Sequence, residues 1–295
     1  MVDWNEEFYR IGKEVIVSLV ILCIILGSLY AYSGRWPPMV VIESSSMSHA
    51  ESSQLGIIDT GDIVVVRKYS DVTTYVEGRA QGYSRYGQYG DVIIYRPMGN
   101  RDRTPIIHRP ILFIKLNQTT GDSFDIPSLS LLRYGIDWST SQGERTYDLN
   151  GTVTIYDYGF KDSRVEIRLD RLLSSQTTSH SGYITMGDNN VSPVGYGRYD
   201  QEIPNICPAP VREEWVIGVA RGHLPWFGIM KLLYMGRTEE VPNNSWYLLG
   251  ISLTILLAGP FVLEYVYSQF KKRKRSGPEK RSLDELNEER YPPFT

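Results

Sequence analysis

The chain has 295 residues, a net charge of -3 and a pI of about 5.9, a balance that argues against general nucleic-acid binding. Its two cysteines, Cys23 in an apolar segment and Cys207 far out in the polar middle, make neither a disulfide scaffold nor a metal site, and no Cys/His cluster has zinc spacing. The polar middle of roughly 200 residues allows one domain with a sizeable core or two small ones.

Residues 1–14 are polar and mixed in charge, and residues 15–34 carry no charge at all. Twenty helical residues span roughly 30 Å, the thickness of a bilayer core, so 15–34 reads as a transmembrane helix. Tyr30, Tyr32 and Trp36 fit an interfacial aromatic belt. Ala31-Tyr32-Ser33 has the look of a leader cleavage site, but the apolar core is long and the region before it is not basic, so a retained anchor is expected. Next, the β-branched run Val40-Val41-Ile42 stops at Glu43-Ser44-Ser45-Ser46-Met47, which sets a group of hydroxyls at a strand end close to the bilayer. Ser46 is the candidate nucleophile, and a serine hydroxyl needs a base within hydrogen-bond reach.

Residues 35–240 are rich in Tyr and Gly and dominated by short β-type runs. Strands are expected at Asp62–Tyr69, Asp91–Arg96, Ile106–Leu116, Gly151–Tyr158, Arg164–Leu169, Gly182–Met186 and Trp215–Arg221, giving a mostly β fold. Glu77 to Gly90 reads as a mobile loop, and 111–180 as an insertion whose Asn-, Ser- and Thr-rich part makes a subdomain or long hairpins. Asn117, Asn150 and Asn243 head glycosylation-type triplets. Residues 246–267 form a second apolar span, kinked at Gly259-Pro260, and 268–295 a basic tail opening on Lys271–Arg275. The positive-inside rule puts that tail in the cytoplasm, and two spans return the N-terminus there and leave 35–240 outside.

Four histidines are candidate bases. His108 lies in a strand-like run, where an imidazole is held rigidly and suits a general base, although spacing alone favours a structural role. His49, His180 and His223 lie in turns or loops and read as incidental. Asp188, in Gly187-Asp188-Asn189-Asn190 after a strand, could orient an imidazole or serve only a turn, and Asp200 is a second carboxylate candidate.

In this order the residues resemble type I signal peptidase, in the branch found in archaea and the endoplasmic reticulum. Ser44-Ser45-Ser46-Met47 resembles its nucleophile box. Gly61–Val65, Gly90–Tyr95 and Pro105–Arg109 resemble its middle boxes, Thr185–Asn190 its late carboxylate box, and Gly218–Gly228 its closing strand and turn. The resemblance covers roughly 38–110 and 181–230. It implies a signal-peptidase/LexA-like β-rich domain at the plasma membrane, acting as a serine endopeptidase that removes signal peptides from exported preproteins. In it Ser46 attacks, His108 replaces the lysine base of bacterial relatives, and Ser44 donates to the oxyanion with the Ser46 N–H. It further implies small residues at -1 and -3 of the substrate, secretory preproteins, membrane lipid and the Sec translocon as partners, and no metal or organic cofactor. Three departures stand out: His49 replaces a proline, Met47–Gly61 is longer than usual, and an insertion after Asn190 leaves both Asp188 and Asp200 as triad candidates, with Asp200 the better match to the family's later aspartate. Two other readings are a membrane-anchored β-rich binding or envelope protein without catalysis, and a Ser-Lys protease using Lys68 or Lys115.

Overall fold

The computed structural model describes residues 4–68 and 71–275. Tyr69, the expected end of a strand, and residues 276–295 of the expected basic tail lie outside the described residues. The elements in chain order are α1 (Trp4–Ser33), β1 (Met39–Val41), β2 (Ile63–Arg67), α2 (Tyr75–Gln81), β3 (Ser84–Arg85), β4 (Gln88–Tyr89) and β5 (Ile93–Tyr95). They continue with β6 (Ile106–Leu116), β7 (Phe124–Asp125), β8 (Trp138–Thr140), β9 (Thr152–Tyr158), β10 (Ser163–Arg168), α3 (Leu169–Leu173), β11 (Gly182–Met186), β12 (Tyr196–Gly197), β13 (Val216–Leu224), α4 (Ile229–Met235) and α5 (Asn243–Arg275).

The β-type runs become strands within one or two residues of their expected ends, except that β13 continues to Leu224. Seven strands form the main sheet in the order β1-β2-β13-β5-β6-β11, with β7 added on β6, all antiparallel. The central strand β5 is buried on both faces. Its side chains alternate between two clusters, Ile94 packing with Ile42, Met47, Val64 and Ala220, and Ile93 and Tyr95 packing with Tyr183, Cys207 and Val219. Ile42 and Met47 thus tie both ends of the serine-rich stretch into the core. Fully burying such side chains stabilises by about 1.5–3 kcal/mol each.

The 111–180 region is not a separate body. Residues 111–116 are the second half of β6, and β8, β9, β10 and β12 form a second sheet. Its Trp138, Val153, Ile155, Val165 and Ile167 share one apolar core with Ile111, Ile114, Ile184 and Met186 of the main sheet. The polar residues of 117–180 are divided between the turns and the strands themselves, with Ser139, Thr140, Thr152 and Thr154 inside β8 and β9.

Glu77–Gly90, expected to be loop, holds most of α2 and the β3–β4 hairpin. Thr74 and Glu77 form a capping box at the start of α2, with the Thr74 side chain accepting from the Glu77 N–H and the Glu77 carboxylate accepting from the Thr74 N–H. The turn Tyr86-Gly87 has positive φ at both residues, the geometry that closes a two-residue hairpin between β3 and β4. Gly and Tyr were therefore turn chemistry rather than looseness.

Two helices, over Phe8–Ser33 and Asn243–Lys271, are long and apolar enough to cross a membrane. The C-terminal end of α1 is fastened to the main sheet: the Ser33 hydroxyl donates to Val66 O, Lys68 N–H donates to Ser33 O at 2.8 Å, and the Arg35 guanidinium donates to Ile217 O at 2.8 Å. In the second helix Pro260 lies within a continuous helical run.

Candidate active site

The serine-rich stretch leaves β1 and crosses towards the end of β11. Its backbone is held by the turn after β11, where Asn189 N–H donates to Ser46 O at 2.9 Å and the Asn189 amide donates to Ser45 O at 3.1 Å. This aims the Ser46 hydroxyl at β6, where His108 presents Nε2 at 3.0 Å. On its other side His108 Nδ1 lies 2.8 and 2.7 Å from the two oxygens of Asp200. Asp200 is fully buried and also accepts from Tyr95 OH and Thr185 Oγ1, both at 2.7 Å. The serine, histidine and aspartate therefore form one hydrogen-bonded series, with the histidine almost buried and the serine half-buried. Ser44 Oγ is exposed and lies 3.2 Å from Ser46 Oγ.

Asp188 is placed elsewhere. Successive strand residues point to opposite faces, so Arg109 turns away from the side His108 serves. Its guanidinium, fully buried, grips Asp188 through two bonds of 2.8 and 2.7 Å. The remaining Arg109 donors bind the carbonyls of Arg85, Tyr89 and Gly90, closing the β3–β4 hairpin onto the sheet. Burial opposes ionisation of Asp188, but the Arg109 guanidinium outweighs it and holds the carboxyl below its ordinary range. His49 meets Asp188 at 3.1 Å and stacks on Phe160 with ring centroids 4.2 Å apart. Of the two carboxylates left open by the sequence, Asp200 reaches His108 and Asp188 is paired with Arg109.

The other candidates fall outside this arrangement. Lys68 and Lys115 are exposed, and the basic group within hydrogen-bond reach of Ser46 is His108. The ring of His180 contacts Ser181 O and stands edge-on to Trp215, and His223 stands edge-on to Tyr86.

Four contributors were not assigned roles from sequence. Tyr95 and Thr185 complete the Asp200 environment, and their polar groups on otherwise apolar strands were the available signal. A Cβ added to Gly187 would stand 2.6 Å from Ser46 O and 2.8 Å from His108 Nε2, so only glycine lets the turn approach the site. Arg109, flanked by His108 and a proline in an apolar run, is a charge that a strand buries only with a partner.

A cleft of about 900 Å³ leads to Ser46 and His108. Its lining is mainly apolar, with Met39, Val41, Ile42, Ile94, Ile106 and Ile107, and also includes the charged Glu43, Lys231 and Arg237. Among the described residues β1 has a sheet neighbour on one side only, so its outer edge is open to pairing with an extended peptide. Chemically, the arrangement can deprotonate a hydroxyl and hold the resulting imidazolium against a buried carboxylate at the end of an apolar trough. No protein-family model matches the chain, and no curated protein matches it either.

Proposed function

We propose that this protein is a membrane-bound serine endopeptidase of the signal-peptidase type, removing N-terminal signal peptides from exported preproteins. The observation that carries the reading is the unbroken hydrogen-bonded series Ser46–His108–Asp200 at the end of an apolar cleft. The ordered motifs and the two membrane-length helices support it. In this reading the fold is the β-rich signal-peptidase/LexA-like core.

The chemistry follows from the geometry. His108 Nε2 takes the Ser46 proton as Oγ attacks the scissile carbonyl, and Asp200 stabilises the imidazolium through Nδ1–H. Ser44 Oγ–H and the Ser46 N–H donate to the oxyanion, and losing one such donor typically costs about 3 kcal/mol of transition-state stabilisation. His108 then protonates the leaving amine, an acyl-serine remains, and water activated by the same imidazole releases it. The signal peptide lies as an added strand beside β1, with alternate side chains entering the cleft. Residues -1 and -3 face the protein together, because strand side chains alternate. No cofactor is required.

Both termini are cytoplasmic and 35–240 lies outside the plasma membrane, as the basic run after the second apolar helix implies. Preproteins delivered by the Sec translocon, still held by their own apolar segment, are the substrates. The decisive test is cleavage of a bilayer-tethered preprotein by the full chain. Cutting after Ala at -1, loss of cutting in Ser46→Ala with the fold retained, and refusal of Leu at -1 are expected. Equal cleavage of Ala and Leu substrates would overturn the signal-peptidase reading, and undiminished activity in Ser46→Ala would overturn the mechanism.

A further inference from the structure

The segment between α4 and α5 reaches back over the serine-rich stretch. Glu240, just ahead of α5, accepts with one carboxylate oxygen from both the Ser45 N–H at 2.8 Å and the Ser45 hydroxyl at 3.0 Å. Residues of α4, the strap and the first turn of α5 hold the chain on both sides of the serines. Lys231 and Arg237 pair with Glu43 before the serines. After them Asn244 exchanges two bonds with the Ser53 backbone, at 2.8 and 2.9 Å. Ser45 stands between Ser44 and Ser46, whose hydroxyls lie 3.2 Å apart with that of Ser46 on His108, so its backbone orientation bears on both. Its carbonyl is fixed by Asn189 and its N–H by Glu240, one clamp on each face of the same residue.

The geometry points to Glu240 as a positioning residue that holds Ser44 and Ser46 in register with His108, so that the strap leading into the second apolar helix completes the site. The inference rests on the serine-endopeptidase reading above. Glu240 touches none of the reacting atoms, and it acts through Ser45. A misplacement of about 1 Å at a nucleophile can cost on the order of a hundredfold in rate, so a clamp one residue away has leverage without contact.

The test uses the full chain in bilayers and a tethered peptide with Ala at -1 and -3. Glu240→Ala should lower kcat by roughly 10- to 100-fold with KM and Tm unchanged. Glu240→Gln keeps an oxygen that can accept from Ser45 and should restore most of kcat. Glu239→Ala, which removes a neighbouring charge, should behave as wild type. The inference is overturned by an unchanged kcat in Glu240→Ala, by an effect confined to KM, by failure of Glu240→Gln to restore kcat, or by an equal loss in Glu239→Ala. If the wild type itself leaves the peptide uncut, the endopeptidase reading fails and this inference falls with it. If the wild type cuts, Ser46→Ala does not, and Glu240→Ala equals the wild type, the inference fails alone.

Discussion

Asp200 and Asp188 each meet a histidine, His108 at 2.7 Å and His49 at 3.1 Å, yet their surroundings differ in kind. Around Asp200 the other donors are neutral hydroxyls, Tyr95 and Thr185. Around Asp188 the principal donor is a buried guanidinium with two parallel bonds. A carboxylate paired with arginine has little field left for a neighbouring imidazole, whereas the bonds to Asp200 besides that of His108 come from uncharged hydroxyls. Asp62 shows a third outcome. Buried and accepting from the backbone N–H groups of Asp59 and Trp226, it is pushed up to about 7, chiefly by burial. All three carboxylates are buried, so their partners rather than their burial separate them.

The comparison breaks most sharply at Asp200. Asp200→Asn should cut kcat by about 10⁴-fold with little change in Tm, since the amide no longer matches the imidazole tautomer. If Asp188→Asn had that effect and Asp200→Asn did not, the two roles would be exchanged. Asp188→Asn should instead cost about 3–5 kcal/mol of stability by leaving Arg109 buried without its counter-charge, read from denaturant midpoints. The pH dependence carries the same signature. A carboxyl depressed in the folded state contributes stability that is fully present above the ordinary carboxylate range and lost as pH falls through the depressed value. Asp188→Asn should accordingly flatten the acid side of the stability curve, and Asp200→Asn should retain that limb.

Gly187 separates the two regions, and Gly187→Ala should reduce kcat by about a hundredfold through displacement of His108 and the Ser46 backbone. Tyr95→Phe removes one of the bonds to Asp200, with an expected loss of about 1 kcal/mol in transition-state stabilisation, measured as kcat/KM. The smallest effect belongs to His49→Ala, which should cost about 0.5–1.5 kcal/mol of stability and leave kcat within about threefold of wild type. A dead His49→Ala enzyme beside an active His108→Ala one would move the site to the Asp188 side.

Strand runs such as Ile106–Leu116 and Gly182–Met186 were legible because β-branched alternation is a local signal, and their ends coincide with those of β6 and β11. Ser46 and His108 stood out by residue type, but their juxtaposition depends on sheet order, which local pattern does not encode. The choice between Asp188 and Asp200 was open in spacing alone, because it turns on which face of β6 each carboxylate approaches, and adjacent residues His108 and Arg109 divide those faces. The α2 capping box was present in the sequence as Thr74 and Glu77 but was masked by the surrounding Gly and Tyr. Glu240 carried no local signal, since its partner Ser45 lies near the other end of the chain.

The joint between α1 and the sheet is stiff, with Ser33 and Arg35 bonded to backbone carbonyls of β2 and β13 rather than followed by a slack linker. If α1 spans the bilayer and Ser46 is the nucleophile proposed above, the hydroxyl stands at a set altitude above the lipid, and the membrane becomes a ruler that measures the substrate before chemistry begins. Bonds too close to the lipid or too far from it would go uncut whatever their sequence, and selectivity would be partly a property of the mounting rather than of the cleft.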